Sequence, residues 1–583
     1  MAAMAVQVQG LGRASSPPLS AFNSMRTVDS NAAGEMMTWG SARSFGRLKG
    51  LRGLRFTVTD KVPFLFPALL VSLQHVLVFV GMTALVVSTA VDAMGGGKAD
   101  VARCISAALL ASGLGTLLNV TFGSRLPLMQ GPTFVHCFGV LGIVAYRKSQ
   151  QAEEEAAVTF EVLAREVQGA LISASAAQLF FGASGLARCF ARLLSPVSLA
   201  PTILAIGLTP FASALQGVLH CPEVGAVQMA GILLFSQYVG ALGRRPSENG
   251  ASRRLAWLAN AETYSVILPA LLSWGIAAIV GEATGGFTYR SEASALYCRL
   301  DRHSLATEAP WVSFPPLFFS LGEPVFTWES FLIMLAATVT ATWESLGSYN
   351  AMSRVAGAPL PRASAAGRGL CMEALGSIFS ALATAAVGLG SSSASVGVVG
   401  TTKVGSRNVI QMAALWLILL GLVSRVGAFV AAIPLAIVCG TLCCTSGLIS
   451  SVGISIAQIA KLNSPRNLFI MGFAIFNGLS IQTRLKMPAE SSGGRDVPSS
   501  LLQLILWEGV VNPLVLCGGL ALLLDTTVPA SGSDPIEERG LHIWRREPNE
   551  RYQHVFFLPH PIRQFANWCL RPFKKASSTR DQC

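Results

Sequence analysis

From about residue 62 the chain reads as long apolar blocks separated by short polar ones. The blocks fall at 62–91, 101–122, 130–146, 167–187, 195–217, 224–243, 262–281, 331–351, 368–388, 389–404, 409–431, 434–456, 466–482 and 502–524. A helix of about 20 apolar residues crosses a bilayer core roughly 30 Å thick. The pattern therefore predicts an all-α polytopic membrane protein of about 14 spans. The third and tenth blocks are too short or too broken by Gly, Pro and Ser to be plain helices. Short extended segments are expected there, each turning into a helix. Residues 1–60 are rich in Ser, Gly, Ala and Arg and predict a disordered basic tail. Residues 282–330 form the longest internal loop, and 526–583 a C-terminal tail. No basic-then-apolar leader opens the chain, so no removed signal peptide is expected.

Composition agrees. Of 583 residues, 52% are hydrophobic and 13% charged, against about 25% charged in ordinary soluble proteins. The net charge of +12 raises nucleic acid as a partner. The positions of the basic residues argue against it, because they flank the spans. Arg43, Arg47, Lys49, Arg52, Arg55 and Lys61 precede the first block, and Arg571, Lys574 and Lys575 follow the last. Alternate loops are short and basic, as in Arg244, Arg245, Arg253 and Arg254, whereas the opposite loops dilute their cations with acids such as Glu153, Glu154 and Glu155. Basic loops stay in the cytoplasm, so both termini are expected there. Most of the 12 cysteines lie inside apolar blocks and read as small hydrophobes. Cys221 and Cys298 fall in predicted outward loops, and whether they pair is left open.

Four places interrupt the apolar pattern. Gln74 and His75 lie within the first block. Gln130-Gly131-Pro132-Thr133-Phe134-Val135-His136 opens the third. Glu344 and Ser348 stand one turn apart, hence on one face of the eighth. The tenth opens with three glycines and the serines Ser391, Ser392, Ser393 and Ser395 around Ala394. Glu344 follows an uncharged run from Phe331 to Thr342. A carboxylate among apolar spans is costly and usually faces a polar cavity, although pairing with a nearby Thr or backbone group would also account for it. Irregular backbone at membrane depth survives only where protein or a watery cavity satisfies it. The half-helix N-termini that follow can bind polar or anionic groups. The two broken blocks are seven spans apart, as are the first and eighth with their polar pairs. A 7+7 inverted repeat with a central site follows as an expectation. The bland readings are helix packing for the serines, cross-helix bonding for Gln74 and His75, and core packing for Phe134 and His136.

In order, these pieces resemble the nucleobase–ascorbate transporters, the family of xanthine, uracil and ascorbate permeases. The resemblance runs over about residues 61–541. It includes Gln74-His75, Gly123-Ser124-Arg125-Leu126-Pro127, Gln130-Gly131, Glu344-Ser345-Leu346-Gly347 and the stretch Gly397 to Arg407. Asn463 to Phe469, Leu524 to Pro529 and Glu537 to Leu541 complete it. The later pieces look closest to the animal ascorbate-transporter branch. The resemblance implies a core domain of spans 1–4 (residues 61–190) and 8–11 (331–432). It implies a gate domain of spans 5–7 with the outer loop (191–330) and 12–14 (433–525), which forms a homodimer. It further implies an elevator-like movement of the core against the gate, symport with H+ or Na+, no other cofactor and a plasma-membrane location. Glu344 would accept N–H groups of a bound nucleobase, and Phe134 would stack on its ring. Backbone N–H groups near Thr133, Phe134, Ser393 and Ala394 would meet its carbonyls.

The departures from the family pattern matter as much. Where the family carries Gln, Glu or Pro followed by Asn, this chain has Ala394 and Ser395. Four residues past the carboxylate it has Ser348 rather than Asp or His. His136 replaces a commonly apolar residue and is a candidate substitute hydrogen-bonding or proton site. The sequence reading is a purine or uracil-like nucleobase transporter. An ascorbate transporter and a non-transporting membrane sensor are the alternatives. A sulfate-type anion carrier fits less well, because the tails are short. An intramembrane enzyme is not supported, because no H-E-x-x-H pattern or Ser–His pair in suitable context occurs.

Overall fold

The computed structural model describes residues 65–150, 159–239, 262–283, 297–298, 322–358, 360–423, 434–484, 501–506, 512–530 and 534–541. The predicted N-terminal tail, most of the outer loop and residues 542–583 lie outside them. The described residues are mostly helical. Helices α1 (Leu65–Ala93) and α2 (Lys98–Thr121) lead to a three-residue strand, β1 (Gln130–Pro132), and then to α3 (Phe134–Gln150). Next come α4 (Phe160–Ser184), α5 (Leu186–Leu193), α6 (Pro196–His220), α7 (Pro222–Leu233, continued by a π-helical Leu234–Val239) and α8 (Ile267–Ala283). The second half runs α9 (Trp328–Val355), α10 (Ala363–Leu382), β2 (Leu389–Ser391), α11 (Ser393–Thr402) and α12 (Arg407–Leu422). It continues with α13 (Leu435–Ala457), α14 (Pro465–Arg484), α15 (Leu501–Leu506), α16 (Pro513–Thr527) and the short α17 (Pro535–Glu538).

Local sequence accounts for several boundaries. Ser195 caps α6 by accepting from Ser198 N, with Pro196 in the first turn, where its missing N–H costs nothing. Gly185 ends α4 in the left-handed conformation, with φ 89°. Among the described residues, five helices are long and apolar enough to cross a membrane: those covering Pro67–Ala93, Ala99–Thr121, Pro196–His220, Trp328–Val355 and Leu435–Ala457. Three shorter apolar helices cover Ile267–Ile279, Arg407–Leu422 and Pro513–Thr527. Of the last predicted block, α15 and α16 are described, and residues 507–511 between them lie outside the described residues.

The helices pack in pairs: α2 with α12, α4 with α10 and α9, α3 with α9, α6 with α13 and α16, and α14 with α16. Small residues allow close approach. A Cβ on Gly113 would lie 2.7 Å from Ala414 O, and one on Gly421 would lie 2.7 Å from Leu110 N, so α2 and α12 meet backbone to backbone. Buried ionic groups tie the ends. Asp525 in α16 takes Arg466 (3.1 Å), Arg539 (2.7 Å) and Ser195 Oγ (2.7 Å). Glu166 in α4 pairs with Arg147 at 2.7 Å and accepts from Thr327 Oγ1 and Ser330 Oγ at the start of α9. Cys221 and Cys298 form a disulfide, with Cα atoms 5.6 Å apart, which answers the pairing question the sequence left open.

The two interrupted segments meet. β1 and β2 pair antiparallel, with Gln130 opposite Ser391, Gly131 opposite Gly390 and Pro132 opposite Leu389. Their approach turns use left-handed backbone at Arg125 (φ 58°), and at Thr384 (φ 58°) and Ala386 (φ 65°). Glycine is required at the crossing, since a Cβ on Gly131 would sit 2.0 Å from Phe79 Cζ and one on Gly390 would sit 2.5 Å from Thr133 Cγ2. Gly131→Ala is expected to destabilise the fold by about 1–3 kcal/mol through overpacking. Thermal unfolding of the detergent-purified protein measures it.

Candidate functional site

Around the β1–β2 crossing, α3 and α11 begin, and the first N–H groups of a helix have no intrahelical carbonyl to serve. Two N-termini therefore converge on the strand pair. In α3, Thr133 takes up part of this capacity: its hydroxyl accepts from His136 N at 3.2 Å, and its carbonyl accepts from Cys137 N at 3.1 Å. The tenth segment is locked by Ser392 N donating to Met129 O at 2.9 Å. Helix α9 runs past the crossing and is joined to it by Ser345, whose Oγ accepts from Ser391 N at 3.2 Å.

Glu344 is the partly exposed neighbour of buried Ser345, and its carboxylate lies beside the Ser393 hydroxyl at the head of α11. Pro132, Thr133, Phe134, Ser392 and Ser393 are likewise partly exposed. The candidate opening is thus the partly exposed group formed by the two strand-to-helix junctions and Glu344. A second carboxylate lies behind it. Glu373 on α10 is fully buried and accepts from Ser345 Oγ (2.8 Å to each oxygen), Ser391 Oγ (2.9 Å) and Gln178 Nε2 (3.1 Å). It is close enough to Glu344 for the two charges to interact. Among the described residues no Lys or Arg forms an ion pair with either acid.

The other predicted residues divide. Ser395 Oγ accepts from Met129 N at 3.4 Å and so braces the crossing. The Ala394 side chain packs in a hydrophobic cluster with Val78, Val398 and Val438, turned from the opening. The buried Ser348 Oγ has no hydrogen-bond partner among the described residues. His136 is fully buried and shares a 2.8 Å hydrogen bond with Thr133 Oγ1, while its ring packs toward Gly388. It supports the α3 junction from inside rather than lining the opening. Gln74 is also structural in its contacts. It donates to Thr263 O (3.0 Å) and accepts from Val266 N (3.2 Å) and Ile267 N (3.3 Å), gripping the entry to α8. Lys403 at the end of α11 forms an ion pair with Glu262 in that same entry segment. Buried His75 has no hydrogen-bond partner on either ring nitrogen among the described residues.

Sequence reasoning missed Glu373. The signal was present, since it is the one Asp, Glu, Lys or Arg between Arg368 and Lys403. Its weight emerges only when Ser345, Ser391 and Gln178 are brought around it.

The model of the Permease family designated Xan_ur_permease matches residues 66–487, and the chain belongs to that family. It is 31% identical over 559 residues to nucleobase-ascorbate transporter 12 of Arabidopsis thaliana, covering 88% of this chain and 75% of that one. It is 30% identical over 519 residues to nucleobase-ascorbate transporter LPE1 of Zea mays, covering 88% and 96%. Among solved structures, the overall structure of SLC26A9 aligns with a TM-score of 0.45 at 11% identity, covering 81% of this chain and 69% of that chain. The chain is thus a membrane transporter of the permease class, not an enzyme.

Replacing Glu373 with Ala would strand its donors in a buried site, at an expected cost of about 3–5 kcal/mol. Glu373→Gln, which keeps an acceptor oxygen, should cost less. Thermal unfolding of both purified variants checks the order.

Proposed function

We propose that the chain is a secondary active transporter that carries a purine or uracil-like nucleobase between the two junctions, with Glu344 as its principal ligand. The observation that carries this reading is the placement of a partly exposed carboxylate against the α11 N-terminus, beside a strand crossing that heads two helices. A nucleobase presents N–H and C=O groups side by side on a flat ring. Ionised Glu344 is acceptor-only and suits the N–H edge. The N–H groups at the starts of α3 and α11 suit the carbonyls, and Phe134 suits the ring face. Thr133 and Ser393 supply hydroxyls at the same junctions, and Ser348 stands as a reserve polar group on the Glu344 face of α9.

Charge supports the remaining parts of the reading. Two nearby carboxylates with no cationic partner among the described residues favour a neutral ring over an anion. They also favour entry of a compensating H+ or Na+ with the solute, that is, symport. Packing of α1–α4 with α9–α12, and of α6–α8 with α13, α14 and α16, supports a core that moves against a gate. We assign a 7+7 inverted repeat of 14 spans, an elevator movement, a gate-mediated homodimer and a plasma-membrane location with cytoplasmic termini. Ascorbate is the second reading. It is favoured by the sequence pieces nearest the C-terminus and by the hydroxyl-rich Ser391–Ser393 junction, and it would require a co-transported cation to offset its charge.

The test is uptake of labelled uracil, hypoxanthine, xanthine and ascorbate in cells lacking their own carriers, with and without sodium and at two pH values. Uptake of a base that depends on sodium or pH is expected. Glu344→Ala and Glu344→Gln should abolish it while the protein still reaches the membrane. Loss of one buried charged partner costs about 2–5 kcal/mol, or roughly 30- to 4000-fold in affinity. Undiminished uptake in both variants would remove Glu344 from the site.

A further inference from the structure

Glu373 is approached by one more group, from the side away from the opening. Tyr349, five residues past Glu344 on α9, is fully buried, and its hydroxyl lies 3.4 Å from Glu373 Oε2. Asn119 Nδ2 at the end of α2 lies 3.3 Å from that hydroxyl and 3.3 Å from Gly369 O. Asn119 Oδ1 accepts from Ser124 N at 3.0 Å and Ser124 Oγ at 2.7 Å. Both N–H groups and both acceptor sites of the amide are therefore engaged.

This arrangement has a direction. Ser124 N and Oγ donate to Asn119 Oδ1, which identifies the oxygen of the amide, and its nitrogen can only donate. The Tyr349 oxygen is then the acceptor toward Asn119, which leaves the phenolic hydrogen for Glu373. The phenol is held in place by the helix contact as well. A Cβ on Gly369 would lie 2.7 Å from the Tyr349 hydroxyl, so only glycine admits the ring between α9 and α10 one turn before Glu373. Glu373 in turn holds Ser345 and Ser391, the two residues that join α9 to β2 beside Glu344.

We propose that Tyr349 is a positioning residue: its hydroxyl, aimed by Asn119, fixes the Glu373 carboxylate and through it the register of β2 against α9 at the binding junction. The kinetic consequence rests on the transport reading above. The coupling between Tyr349 and Glu373 does not.

Four forms of the full chain separate the two: wild type, Tyr349→Phe, Glu373→Gln and the double variant. Tyr349→Phe should lower the thermal midpoint of the detergent-purified wild type by about 1–3 °C and that of Glu373→Gln by clearly less, because the bond to the carboxylate is then already weakened while the bond from Asn119 is lost in both. In the uptake assay it should raise the half-saturating concentration of the transported solute about three- to tenfold, the scale of one hydrogen bond. The maximal rate per surface molecule should stay within about twofold, since the Glu344 ligand itself is intact. Equal midpoint losses in both backgrounds would overturn the coupling. A lower maximal rate with unchanged half-saturation would overturn the positioning role. If Glu373→Gln does not fold, Glu373→Asp, which draws the carboxylate back from the phenol, serves as the second background. If wild type takes up none of the four solutes, the transport reading fails while the thermal cycle still decides the coupling.

Discussion

Two strands of three residues each, crossing among apolar helices, set the constraint on which the rest of this structure depends. Backbone N–H and C=O groups cannot be left unpaired in such surroundings. Each strand answers for the other through the Gln130–Ser391, Gly131–Gly390 and Pro132–Leu389 pairs. Groups the pairing cannot reach are served by side chains: Thr116 Oγ1 accepts from Gln130 N, Ser377 Oγ accepts from Leu389 N, and Ser345 Oγ accepts from Ser391 N. The serines and threonines that depart from a plain apolar pattern are the partners that let a non-helical backbone exist there. The helix starts produced by this arrangement are then held beside one another, and the first N–H groups of a helix have no intrahelical acceptor.

The same economy explains why two acids can occupy the region. Glu373 is surrounded by hydroxyl and amide donors rather than by a cation. Such donors stabilise charge at short range without neutralising it, so a demand for a proton or cation remains at the junction. Glu344 adds to that demand and faces the partly exposed side. Elsewhere the protein treats buried acids differently: Asp525 is matched by Arg466 and Arg539, Glu166 by Arg147, and Glu262 by Lys403. Those pairs fasten segments to one another. The contrast between matched and unmatched acids distinguishes the candidate site from structural clamps.

Several features were legible beforehand. Glu344 stood out because no other charge lay near it in its block, and the broken third and tenth blocks were visible in Gly131, Pro132, Gly388 and Gly390. For His136 and Gln74 a site role and a supporting role both stood open. Polar residues in apolar blocks are conspicuous whether they face a cavity or a helix entry, and the alphabet alone does not distinguish the two. In the structure His136 turns inward to Thr133, and Gln74 holds the start of α8. Glu373 was overlooked because its partners come from three other elements, α4, α9 and β2, between 18 and 195 positions away.

The sequence by itself determined the membrane class, the positions of the interrupted segments and the prominence of one acid. These follow from local rules: the length of an apolar run, the helix-breaking chemistry of Gly and Pro, and the cost of charge in an apolar setting. Only the tertiary structure decided that the interruptions pair as strands, that Glu344 meets Ser393, that Cys221 bonds Cys298 and that a second acid stands behind the first. Hydrogen bonds between residues more than two hundred positions apart depend on packing geometry, and no local pattern encodes which donor will meet which acceptor.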